Sequence, residues 1–314
     1  EEGLEKLQDV VWQNRSDPDS TVLAEMFGSF VEFIKDEFGN DFLIERMSQL
    51  REQRGVTPTL QGWLTMAKAD ALEAKEASKD EIDKEYYLLE AGFDPSVQSN
   101  YTIVRLARWI RDSRNRPEEA QKLYEYILEN RPGTPNFEYC LVDTAEIQAA
   151  SNDPEQRAEA FEKFRRVLAE VPSEELQEKA VLGMARIKMV EQDYAAAKPL
   201  WSQYLENRSW VLSRPEANYR MAECFDEEGN LADALKIYVS VYANFPGHLD
   251  WSTRAYLRTA VVMKERGDDL KSLKVLQDML KRMGHLDHPG VDKGKELFVR
   301  WREEYQAKAA EAES

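Results

Sequence analysis

Five small residues, Ala120, Ala160, Ala197, Ala234 and Ser272, recur at intervals of 40, 37, 37 and 38 residues. Each is followed one helical turn later by a large side chain: Tyr124, Phe164, Trp201, Tyr238 and Leu276. A self-similar period of this length marks a chain built from stacked supersecondary units. The unit is clearest in NYRMAECFDEEGNLADALKIYVSVYANFP, residues 218–246. Met221, Ala222 and Phe225 recur at helical spacing. Gly229 and Asn230 then interrupt, and a second periodic run follows through Leu231, Ala234, Leu235, Tyr238, Val241 and Tyr242 to Pro246. Glycine can adopt the left-handed conformation that closes a helix, and asparagine can cap the next one. The stretch therefore predicts a helical hairpin. Ala222 and Ala234 sit where its two antiparallel helices approach closely, Tyr238 fills the wider space beyond, and Pro246 ends the second helix.

These second helices resemble those of the tetratricopeptide repeat family over about residues 100–283, with small residues in both helices, an aromatic in the second and a proline at the end. The resemblance implies an all-α, right-handed superhelical solenoid of antiparallel helix hairpins. It further implies about five repeats over 96–283, while charge bias and the GFDPSVQSN junction set apart acidic N-terminal helical hairpins over 1–95, a cap or degenerate repeats, and an amphipathic pattern marks a capping helix over 284–314. Asn218 stands where the family has tryptophan, and an insertion around SNDPEQ lengthens one unit. In the closing helix Leu297, Val299 and Trp301, with Phe298 and Tyr305, are expected to cover the last hairpin.

Charge narrows the partners. The chain of 314 residues carries a net charge of −17, which repels phosphate backbones and anionic bilayers. Neither nucleic acid nor direct membrane insertion is expected, since no apolar run reaches the length of a span. Residues 1–95 hold 10 Lys/Arg against 22 Asp/Glu, and the remainder 32 against 37. The chain begins with Glu rather than Met, so a soluble cytoplasmic protein and a periplasmic or secreted one, freed of a signal, are both compatible with it.

Chemistry is sparse. Cys140 and Cys224 read as buried free thiols. His285, Asp287 and His288 crowd into GHLDHPG but lack the further ligands of a metal site. No glycine-rich phosphate loop, nucleophile elbow or calcium loop is present. The expectation is a non-catalytic protein that needs no cofactor.

In the resembled family the first helices line a concave, peptide-binding groove. That face implies Tyr101, Arg105, Arg108 and Arg111 here, with Val104, then Tyr139, Val142, Asp143 and Glu146. Further along it implies Arg186 and Met189, Tyr219, Arg220 and Glu223, and Arg254, Leu257, Arg258 and Lys264. Guanidinium groups bind carboxylates in a bidentate fork, so the expected partner is a protein or peptide with acidic side chains or a free C-terminal carboxylate. Arg254 and Arg258 stand where chaperone-binding members place two basic residues of a carboxylate clamp. The plain alternative is that the arginines of VRLARWIRDSRNRP pair with Glu118, Glu119 or Glu125 on a solvated face.

The segment TVLAEMFGSFVEFIKDEF is apolar on more than one stripe, through Leu23, Met26, Phe27, Phe30, Val31, Phe33, Ile34 and Phe38. It is either buried on two sides or buried on one and offered to a partner. The acidic N-terminal region could also fold back onto the arginines and compete with an acidic ligand. The primary reading is an interaction scaffold. The alternative is a structural or assembly subunit of a bacterial envelope or other complex, acting by self-association as a homo-oligomer.

Overall fold

A computed structural model describes residues 2–18 and 20–313. The described residues are helical, with a single 3-10 turn at Pro95–Val97 and no strand. The chain forms two compact units, residues 1–159 and 160–314, with the division inside α8.

The first unit contains α1 (Glu2–Gln13), α2 (Thr21–Arg51), α3 (Pro58–Ala74), α4 (Lys79–Glu90), α5 (Asn100–Asp112), α6 (Pro117–Asn130), α7 (Phe137–Ala149) and the start of α8 (Pro154–Glu170). From α1 to α7 each helix packs on the next, and α3 also packs on α5. Gly39, at φ 80°, breaks α2 within a run that otherwise stays helical, a conformation that glycine adopts without the penalty of a Cβ. Leu23, Phe27, Phe30 and Ile34 before the break join Leu43, Met47 and Leu50 after it in one core with Leu60 and Leu64 of α3.

The N-terminal apolar segment is thus buried along one side only. Phe38 and Phe42 remain exposed, with their rings 4.8 Å apart. A second core gathers Ile103, Trp109, Tyr124, Ile127 and Cys140.

The second unit holds the rest of α8 and then α9 (Glu174–Val190), α10 (Tyr194–Glu206), α11 (Arg214–Glu227), α12 (Leu231–Asn244), α13 (Leu249–Glu265), α14 (Asp269–Met283) and α15 (Pro289–Glu313). From α9 onward each helix again packs on the next, while α11 also meets α13 and α13 meets α15. The hairpin over 218–246 forms as its sequence predicts. Gly229 takes φ 78° and the Asn230 side chain accepts from Asp233 N. Ala222, Ala234 and Tyr238 share one buried cluster.

All five periodic small residues are fully buried, and the five large ones are at most 1 % exposed. Apolar side chains of that size each contribute on the order of 2–3 kcal/mol on burial. The period is thus the contact line between the two helices of each hairpin.

Cys140 and Cys224 are buried free thiols, each pushed up to about 12 chiefly by burial. In α15, Leu297 and Trp301 pack against Ala260 and Leu276. Val299, expected to join them, is 47 % exposed. It lies two residues from each, about 200° around the helix, and so faces away.

Candidate functional site

The first helices of the hairpins carry the arginines expected to bind a ligand, and in the first unit all three on α5 are already engaged. The phenol of Tyr101 donates to Asp70 Oδ2 at 2.8 Å, and Arg105 pairs with Asp70 and, at 3.4 Å, with Glu73. Burial opposes the charge of Arg105, but the carboxylates of Asp70 and Glu73 outweigh it and favour the protonated guanidinium. Arg108 donates to Asp143 at 3.0 Å and stands over the Tyr139 ring. Arg111 reaches Asp112, Asp143 and Glu146. Asp143 is nearly fully buried, with 4 % of its side chain exposed, so these contacts are internal to the fold.

The acidic N-terminal stretch does supply partners, since Asp70 and Glu73 both lie on α3. Arg116 pairs with Glu119 as the plain reading expected. Arg105, Arg108 and Arg111 instead reach acids of other helices, a pairing that depends on which helices lie side by side. Val104 and Val142, expected on the exposed face, are buried, Val104 within the core of the first unit.

In the second unit two arginines interlock helices in the same way and two do not. Arg186 on α9 binds Glu216 on α11, with Nε donating to Oε1 at 3.0 Å. Arg258 on α13 grips Asp226 on α11 through two nitrogens, at 2.5 and 3.0 Å, and Tyr238 donates to the same carboxylate. Arg220 pairs with Glu223 on its own helix at 2.6 Å. Arg254 is exposed and has no carboxylate partner among the described residues. Its guanidinium lies 5.0 Å from the centre of the Trp251 ring, and that of Arg220 lies 5.5 Å from the same ring. Tyr219 packs on Trp251 at 5.4 Å.

Tyr219, Arg220, Trp251 and Arg254 thus form one half-buried aromatic and cationic patch across α11 and α13. Trp251 was missed by sequence reasoning. The available signal was its place one turn before Arg254 on a first helix, but a tryptophan there reads equally well as core. The patch can hold a carboxylate on Arg254 and an apolar group against Trp251.

No group of three or more His, Cys, Asp or Glu among the described residues is placed to hold a metal ion. His288 instead bonds Asp250 at 3.1 Å. No helix among the described residues is long and apolar enough to cross a membrane.

The sequence model of the tetratricopeptide repeat matches residues 216–248, most of α11 together with α12. No match is found among curated proteins. Solved structures similar to this chain include that of YrrB, described as a TPR protein with an unusual peptide-binding site. It is 19 % identical, with 62 % of this chain and 91 % of that one covered and a TM-score of 0.45.

Proposed function

We propose that this chain, which carries a tetratricopeptide repeat at residues 216–248, is a non-catalytic protein-interaction scaffold that captures a carboxylate-bearing peptide on the face of α11 and α13. The observation that carries this reading is Arg254, an exposed guanidinium without a carboxylate partner among the described residues, set over Trp251 beside Arg220. The other groove arginines neutralise acids of the fold itself, and displacing those acids would cost the ligand much of what it gained. Arg254 has no such competitor. An acidic side chain or a C-terminal carboxylate would dock there, with an adjacent apolar residue on Trp251 and Tyr219.

The test is binding of an acidic peptide with a free C-terminus and of its amidated form to the wild type and to Arg254→Glu. Loss of a charge-assisted contact of this kind corresponds to roughly tenfold weaker binding, with the melting temperature unchanged because Arg254 holds no other helix. Equal affinity of the two proteins for both peptides would exclude this face.

A further inference from the structure

We infer that the first unit carries a second docking site, of opposite charge preference, for a basic amphipathic segment of a partner protein. Its place is a groove between α2 and α3, a cavity of about 310 Å³. Phe27, Val31, Leu43, Trp63 and Ala71 give it an apolar floor. Phe27 lies 5.5 Å from Trp63, and Trp63 stacks on Tyr101 at 5.3 Å, so one wall is continuous aromatic surface. Trp63 Nε1 and Asn40 Oδ1, on two residues that line the groove, are buried and have no hydrogen-bond partner among the described residues.

Gly28 is the sharpest sign that the groove is kept open. It sits mid-helix, where glycine is unfavourable. Its φ is not positive, and a Cβ built on it meets no atom within 4 Å. Neither backbone conformation nor crowding calls for glycine at this position. Yet the residue lines the cavity, and a large side chain there would occupy it.

The rim decides the occupant. Glu32 lines the groove and has no cationic partner among the described residues. Glu25 and Asp36, at seven residues before it and four after, share its helix face and are likewise without a cationic partner among those residues. Asp70 adds a further carboxylate, already shared by Tyr101 and Arg105. Lys35 is the cation on the rim, against this acidic face and within a stretch of 10 Lys/Arg to 22 Asp/Glu. An apolar floor beneath such a rim complements a helix or strand that offers a large apolar side chain flanked by lysine or arginine. The aromatic wall adds attraction for those cations.

The site is independent of the α11–α13 face, and the experiment separates the two. A short acetylated and amidated peptide of leucine, phenylalanine and lysine at helical spacing is titrated into the full chain by calorimetry. Saturable binding that weakens roughly tenfold in Gly28→Phe and in Glu32→Lys supports the groove. It must stay unchanged in Arg254→Glu and in Glu303→Lys, a charge reversal on α15. Circular dichroism and melting curves establish that Gly28→Phe remains folded. Any of three results overturns the proposal: undiminished binding to Gly28→Phe; equal weakening by Glu303→Lys, which would mark general attraction to an acidic protein; or a wild-type mass that falls from dimer to monomer in Gly28→Phe, which would place a second copy in the groove.

Discussion

Gly183 on α9 and Phe164 on α8 show how strictly single positions are set where helices of successive hairpins meet. A Cβ on Gly183 would come within 2.3 Å of two atoms of the Phe164 ring, and Phe164 is fully buried. A ring closed in on all sides has no free volume to move into. Gly183→Ala is expected to destabilise the protein by about 1–3 kcal/mol in urea unfolding, and the loss should shrink when Phe164 is also shortened to Leu. If Gly183→Ala unfolds at the wild-type urea concentration, the ring is freer than its burial implies. Gly28 is the opposite case, a helical glycine with open space around it. Their sequences give no hint of the difference, because what separates them is the atoms that neighbouring helices bring.

At the scale of elements, the arginines work chiefly as ties between first helices of successive hairpins. Arg105 on α5 reaches back to α3, Arg108 reaches forward to α7, Arg186 on α9 reaches α11, and Arg258 on α13 reaches back to α11. Each tie joins residues 30 to 35 positions apart. In Asp226→Ala both Arg258 and the Tyr238 hydroxyl lose their shared acceptor. The expected loss is about 2 kcal/mol, read by thermal or chemical denaturation. Arg258→Ala should cost less than leaving its buried partner intact would suggest only if water reaches Asp226, whose side chain is 4 % exposed; comparable losses in the two variants are therefore the expected result. A charge reversal at Arg254, which ties nothing, should leave the unfolding midpoint where it is. That contrast separates structural arginines from a binding one.

For the whole molecule, the net charge of −17 is distributed among carboxylates that the fold has partly locked. Burial by itself would raise Glu216, but the hydrogen bond and charge of Arg186, with a hydrogen bond from Ser213, bring it below its ordinary 4.5. Asp278 is likewise lowered, against burial, by hydrogen bonds from Tyr256 and Arg282. A carboxylate with a depressed folded-state pKa binds protons more weakly in the folded than in the unfolded chain. Its stabilising contribution is therefore complete above the ordinary value and disappears as the pH falls through the lower folded one. The melting temperature is expected to drop as pH is taken below 4.5, and to drop less in Arg186→Ala, which has already lost that contribution. Parallel acid profiles for the two proteins would show that Glu216 is not held in this way.

Much of this architecture is legible in the order of the residues. The period of small and large residues determined the hairpins, because two helices can approach only where both side chains are small and the gap beyond is filled. Gly229 and Asn230 determined where one helix ends and the next begins, through backbone conformations available to few residue types. Both are local or strictly periodic constraints, and such constraints are written along the chain. Which arginines are occupied was decided by tertiary structure alone. Asp70, Asp143, Glu216 and Asp226 become partners only when a neighbouring first helix is laid alongside, roughly a full repeat away in sequence. The same packing left Arg254 over Trp251 without an acid among the described residues, and opened a groove beside Gly28. An ion pair or a cavity depends on distances of a few ångströms between distant segments, and residue order does not specify these until the chain is packed.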